Sequence, residues 1–150
     1  MPKKVILIAA VTVDGFIARH KNEITTWSKD LHFFKKQTMG YPLIMGSNTF
    51  KTIKRDLVGR EMIVINRNQK PESILSGLNE EICYIIGGGK TFSRFTKFYT
   101  HIYITPHPYI FGKGIRLFSD LINEISIQFL NIIEIDKKMG IYQYQYEVSK

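Results

Sequence analysis

"CYIIGGGKTFSRF", residues 83–95, runs from an apolar stretch through three consecutive glycines into a segment of helical pattern. Glycine carries a high entropy cost in a folded backbone, and a tight turn needs only one or two. Three in a row, where a strand hands over to a helix, indicate that something comes very close to the main chain. A second junction of the same kind stands upstream in "LIMGSNTF", residues 43–50. Both place backbone N–H groups where an anionic group could bind. Gly87 and Gly88 would let a ligand touch the backbone, and Gly89 would let the helix start pack closely. Neither junction is a G-x-G-x-x-G fingerprint or a P-loop.

Outward from these junctions, short runs rich in Val, Ile and Tyr predict strands at 5–11, 42–46, 61–66, 82–86 and 100–105. Near-continuous apolar runs such as "VILIAAV" are typical of strands covered on both faces, hence of a largely parallel sheet. Helices are expected at 29–39, 47–54, 73–79 and 89–97. In the first, Leu31, Phe34 and Thr38 share a face, Lys35 and Lys36 turn outward, and Ser28 is the expected N-cap. The tail differs: "SIQFLNIIEID", "KKMG" and "IYQYQYEVS" (126–149) read as an antiparallel hairpin, with Tyr142, Tyr144 and Tyr146 on one face. The expected fold is α/β: one domain over 1–150, a mainly parallel central sheet flanked by helices, and a C-terminal antiparallel hairpin.

The composition, 44% apolar and 23% charged, is that of a soluble globular chain. No apolar run reaches the length of about 18 residues that a membrane span needs. The N-terminal "MPKKVILIAAV" reads as a buried strand rather than a leader, so a cytoplasmic location is expected. Cys83, the one cysteine, lies in an apolar run and is expected to be buried and inert. The formal charge of +8 suits a nucleic acid, a membrane surface or a small polyanion. Because the lysines are scattered, a small anionic ligand is favoured over nucleic acid. His20, His101 and His107 show no metal-ligand spacing with Cys83 or with one another, and no metal is expected. His32 should project away from Asp30 on their helix.

After the apolar "MIVI" come Asn66 and Arg67, and a basic residue at a strand's end can pair with a phosphate. With this element in place the chain resembles dihydrofolate reductases. The pieces that carry the resemblance are "LIAAVTVDGFIA" (7–18), "DLHFFKKQT" (30–38), "PLIMGSNTF" (42–50), "IKRDLVGREMIVINRN" (53–68), "IIGGGKTFSRF" (85–95) and "IYIT" (102–105). Together they span most of the chain in the family's order.

The resemblance implies a dihydrofolate reductase-like fold, NADPH as cofactor and dihydrofolate as substrate. It assigns Asp30 to the pterin ring, Thr105 to a hydrogen bond with that acid, and Trp27 to the catalytic group. Ile8, Ala10, Leu31, Phe34, Ile53, Leu57 and Ile86 would wall the substrate, and Arg60 would pair with its tail carboxylate. Ala10, Ile17, Gly46, Ser47, Asn48 and Thr49 would meet the cofactor, as would Gly87, Gly88, Gly89, Lys90, Thr91 and Phe92. Asn66 and Arg67 would serve its 2′-phosphate. Independently, a lone carboxylate beside Phe33 and Phe34 should be partly desolvated and hold a perturbed pKa.

Three features depart from the family. Ser47 stands where an arginine is common, with Lys51 or Lys54 as substitutes for the missing charge. Trp27 lies only three residues before Asp30. The segment 106–120, "PHPYIFGKGIRLFSD", resembles instead the "G-x-G-x-x-L-F" of the riboflavin-biosynthesis reductase domain, which implies an alternative ribosylaminopyrimidine phosphate substrate. That relative shares the fold and uses NADPH. A monomer or a homodimer is expected.

Overall fold

The computed structural model describes residues 1–53 and 57–150. Seven strands form the main sheet in the order β4-β3-β5-β1-β6-β9-β8. They are β1 (Lys4–Thr12), β3 (Leu43–Met45), β4 (Met62–Val64), β5 (Ile82–Gly87), β6 (His101–His107), β8 (Ile127–Asp136) and β9 (Ile141–Val148). β1 pairs in parallel with β5 and β6, and β3 in parallel with β4 and β5. β9 runs antiparallel between β6 and β8, so the expected hairpin closes one edge of a parallel sheet.

Two strands escaped the sequence reading. β2 (Phe16–Ala18) and β7 (Ile115–Arg116) form a separate antiparallel pair beside the main sheet. Both are too short to show a period.

Alternation along β1 explains why its sequence is apolar throughout. Val5 and Leu7 join Ile44, Ile85, Leu75, Phe92 and Phe95 in one core. Ile6 and Ile8 join Leu43, Met45, Leu57 and Tyr84 in the other. Cys83 is fully buried in the first core, and burial pushes its thiol up to about 12. β8 covers nothing comparable: at the sheet edge it leaves Phe129, Leu130 and Ile132 exposed.

The helices α1 (Leu31–Thr38), α2 (Ser47–Ile53), α3 (Pro71–Ser76) and α4 (Gly89–Arg94) fall where expected, with shifted ends. α3 begins at Pro71, whose fixed φ suits a first turn, and stops at Gly77, where the N–H groups of Gly77 and Leu78 cap the carbonyls of Ile74 and Leu75. α4 ends three residues short of the expected 97. The N-cap of α1 is Asp30 and not Ser28. Lys54, the last residue of the expected second helix, lies outside the described residues. No helix among them is long and apolar enough to cross a membrane.

Candidate active site

A cavity of about 940 Å³ opens beyond the carboxyl ends of β1, β3, β4 and β5, where open parallel sheets place their ligand crevice. Ile8 and Ala10 from β1, Leu31 and Phe34 from α1, Ile53 from α2 and Ile86 from β5 give it apolar walls. Asp30 lines it at the head of α1 and is 8% exposed.

The Asp30 side chain makes no capping hydrogen bond, although a carboxylate at an N-cap ordinarily would. Its carboxyl is therefore left for the cavity. Burial drives its pKa up, opposed more weakly by the Thr105 hydroxyl facing it and, were it charged, by the His107 ring. Thr105 is fully buried on β6, and its Oγ1 has no hydrogen-bond partner of ordinary geometry. The sequence expectation of a desolvated acid beside Thr105 matches this arrangement.

The glycine turns form the other half of the cavity. Gly46, Ser47, Asn48 and Thr49 line it after β3, and Gly87, Gly88, Gly89, Lys90, Thr91 and Phe92 line it after β5. A Cβ on Gly46 would stand 2.9 Å from Thr91 Oγ1, and one on Gly87 would stand 3.3 Å from Thr49 Oγ1. Gly87 also has φ +131°, a backbone conformation that favours glycine. Bare backbone here is a steric requirement of the cradle. Gly89 has a different cause: its Cβ would stand 2.0 Å from Ser119 Oγ and 2.5 Å from the Arg116 carbonyl. The third glycine thus admits the protein's own 116–119 segment.

Asn66 and Arg67 line the cavity past β4. Asn66 Oδ1 accepts the N–H groups of Asn68 and Gln69 at 3.0 and 3.1 Å, closing a turn that presents Arg67 to solvent. Arg94, which the sequence reading passed over, braces that turn by donating to the carbonyls of Asn66 and Gln69. Ile17 lines the cavity from β2.

Three expected site residues stand elsewhere. Leu57 is fully buried in the second core. Arg60 lies outside the cavity lining: its guanidinium donates to Thr38 Oγ1 at 3.0 Å and to the carbonyls of Val58 and Lys35, tying the end of α1 to the chain entering β4. Trp27 is likewise away from the lining, buried at 8% exposure among His107, Tyr109 and Phe111. Thr105 lies behind Asp30. Of the substitutes weighed for Ser47, Lys51 is exposed and off the cavity.

The 106–120 segment supports the loop after β1. The Asp14 carboxylate accepts from the amides of Phe111 and Gly112 at 3.2 and 2.8 Å, and from Thr12 Oγ1 at 2.6 Å, which hold its pKa down. Gly114, at φ +144°, comes so close to Ala18 that a Cβ would stand 2.2 Å from its carbonyl oxygen. His107, weighed in the sequence only as a metal ligand, lies two residues past Thr105 and so on the same face of β6.

A buried acid and a bare-backbone cradle in one crevice of a mainly parallel sheet define the class: an α/β fold with a ligand site at the carboxyl ends of its strands. The chain belongs to the dihydrofolate reductase family of NADP-dependent oxidoreductases, whose sequence pattern matches residues 4–114. Dihydrofolate reductase type 3 from Salmonella typhimurium is 32% identical over 113 residues, 66% of this chain and 68% of its own length. Dihydrofolate reductase from Buchnera aphidicola subsp. Baizongia pistaciae is 31% identical over 122 residues, 71% and 74% of the two chains. Among solved structures, a dihydrofolate reductase from Enterococcus faecalis complexed with NADP(H) superposes with TM-score 0.78 at 22% identity, covering 100% of this chain and 99% of that one. A Shewanella sp. PV-4 protein assigned to riboflavin biosynthesis superposes with TM-score 0.69 at 18% identity, covering 98% and 99%. The two solved structures share the fold.

Proposed function

We propose that the chain reduces 7,8-dihydrofolate to 5,6,7,8-tetrahydrofolate with NADPH. The observation that carries this reading is Asp30: a buried carboxyl, free of any capping role, lining an apolar cavity continuous with the glycine cradle. NADPH, when bound, supplies the hydride. The cradle offers it bare backbone, with both glycine turns lining the cavity and little room for a side chain on Gly46 or Gly87. Arg67 is the cation for its 2′-phosphate.

Asp30 accepts hydrogen bonds from the pterin's amino group and adjacent ring nitrogen, orienting the ring and favouring protonation at N5. Water delivers that proton. Leu31, Phe34, Ile53 and Ile86 exclude bulk water from the ring, which strengthens the pull of the carboxylate on it. The same reading makes the chain a cytoplasmic enzyme of a small-molecule substrate, as monomer or homodimer.

A second reading, reduction of a ribosylaminopyrimidine phosphate, is favoured by the Gly112–Phe118 stretch and its contacts with Ala18 and Gly15. Oxidation of NADPH in the presence of dihydrofolate separates the two. Turnover blocked by methotrexate supports the folate reading. NADPH binding without turnover on dihydrofolate would remove it in favour of the pyrimidine.

A further inference from the structure

His107 ends β6 and is 1% exposed, yet nothing in the reaction outlined above uses it. Both ring nitrogens are engaged. Nε2 accepts the backbone N–H of Lys29 at 2.9 Å, and Nδ1 lies 2.9 Å from the Thr105 carbonyl oxygen. An amide only donates and a carbonyl only accepts, so the ring carries its proton on Nδ1 and its lone pair on Nε2. Lys29 is the residue immediately before Asp30, the N-cap of α1.

The ring is also packed on two sides. Trp27 stands edge-on to it, centroids 5.2 Å apart at 87°, and Tyr109 stacks on it at 6.4 Å and 14°. Trp27 meets Phe111 as well, at 5.3 Å. The three residues leading into Asp30 are thereby fastened to the end of β6 and its continuation. His107 thus satisfies the Lys29 amide just ahead of the N-cap Asp30, and the helix begins at Leu31.

We propose that His107 is a positioning residue for Asp30: through the Lys29 amide, its neutral ring anchors the chain entering α1 and so sets how deep the carboxyl stands in the cavity. The inference rests on the reading that Asp30 acts on the bound ring. The competing arrangement is an imidazolium at His107 paired with the Asp30 carboxylate. Its charge would favour the ionised acid, but a proton on Nε2 would face the Lys29 N–H donor to donor and break the bond seen. The hydrogen-bond pattern is that of the neutral ring, and burial prevails at Asp30.

Two substitutions separate positioning from simple packing. In His107→Gln the side-chain oxygen reaches the place of Nε2 and still accepts from Lys29. In His107→Asn the shorter amide reaches only the place of Nδ1, leaving the Lys29 amide unpartnered. Two readouts apply: kcat and KM for dihydrofolate across pH, and the Asp30 carboxyl titration followed by carbon-13 NMR in the unliganded chain. The resonance is assigned from Asp30→Asn.

His107→Asn is expected to lower kcat by about 10- to 100-fold, the cost of a misplacement near 1 Å. It should leave NADPH affinity unchanged and bring the Asp30 titration down toward the ordinary carboxylate range. His107→Gln should restore kcat and keep the titration raised. The proposal is overturned if His107→Asn keeps the wild-type kcat and titration, or if the Gln variant is as impaired as the Asn variant. Should His107→Asn fail to fold, Lys29→Pro, which deletes the amide proton and leaves the ring, must reproduce the same two changes. The titration needs no substrate, so a wild-type chain inactive on dihydrofolate would remove the folate reading while the NMR comparison still decides about His107.

Discussion

The amide of Gly46 donates to the carbonyl of Gly87 at 2.9 Å, which joins the turn after β3 to the turn after β5. The joint is reciprocal. Thr91, from α4, stands under Gly46, and Thr49, from α2, stands under Gly87 and Gly88. Each helix closes the floor beneath the other's glycine turn.

Gly46→Ala should therefore disturb folding and cofactor binding together. The added methyl meets Thr91 Oγ1 at 2.9 Å, and overpacking of this kind costs about 1–3 kcal/mol. Adding Thr91→Ala should recover most of that loss, because the colliding oxygen is gone. Urea denaturation of the two single variants and the double variant measures the coupling. Additive losses would mean that the two residues do not collide.

Gly89→Ala should be harder to rescue. Its Cβ meets both the Ser119 hydroxyl and the Arg116 backbone carbonyl, and removing the first leaves the second at 2.5 Å. We expect a loss of about 3 kcal/mol that Ser119→Ala does not repair, read from the same denaturation curves.

Asp30→Asn should lower dihydrofolate turnover by about 100-fold or more, with NADPH affinity retained. It should also stabilise the fold at neutral pH. Burial raises the Asp30 pKa in the folded chain above the value of 3.8 it has when exposed. Between those two values the folded state binds more protons than the unfolded one, so stability falls as pH rises through this window and stays lower above it. The asparagine variant lacks that fall. Thermal melts at acid and neutral pH check the sign: the gain should be present at neutral pH and absent below 3.8, at about 4 °C for each kcal/mol.

Arg60→Lys should destabilise the chain, since an ammonium cannot reach Thr38, Val58 and Lys35 from one position. A loss of about 2 kcal/mol is expected by denaturation. If Arg60 also meets the substrate's tail, KM for dihydrofolate will rise while kcat holds. A rise confined to the denaturation curve would leave the arginine a brace alone.

Cys83 should resist thiol reagents in the folded chain and react fully in denaturant. Its sulfur is fully buried and its pKa is pushed up to about 12, leaving no thiolate to attack. Rapid labelling without denaturant would contradict the burial.

The parallel sheet, the antiparallel hairpin and both glycine turns were legible because each writes a local pattern; the role of Asp30 followed from the family resemblance. A strand buried on both faces must be apolar throughout, as β1 and β5 are. A turn that cannot hold a Cβ must be glycine, as at Gly46 and Gly87. Helix ends were less legible: Ser28 and Asp30 are equally good caps by residue type, and the chain starts α1 after Asp30. The roles of Leu57, Arg60 and Trp27 followed the family's pattern, while here the first is core, the second a brace and the third part of an aromatic cluster.

By itself, the sequence determined which segments form the main sheet and the helices, that backbone must lie bare in two turns, and that Asp30 belongs to a largely apolar face. Burial on one element repeats with that element's own period, so it can be read locally. Only the tertiary structure decided that Gly89 is reserved for Ser119, that β2 pairs with β7, and that His107 reaches Lys29 across 78 residues of chain. Such contacts join positions remote along the chain and leave no period in either segment. They exist only once the sheet has brought the end of β6 beside the start of α1.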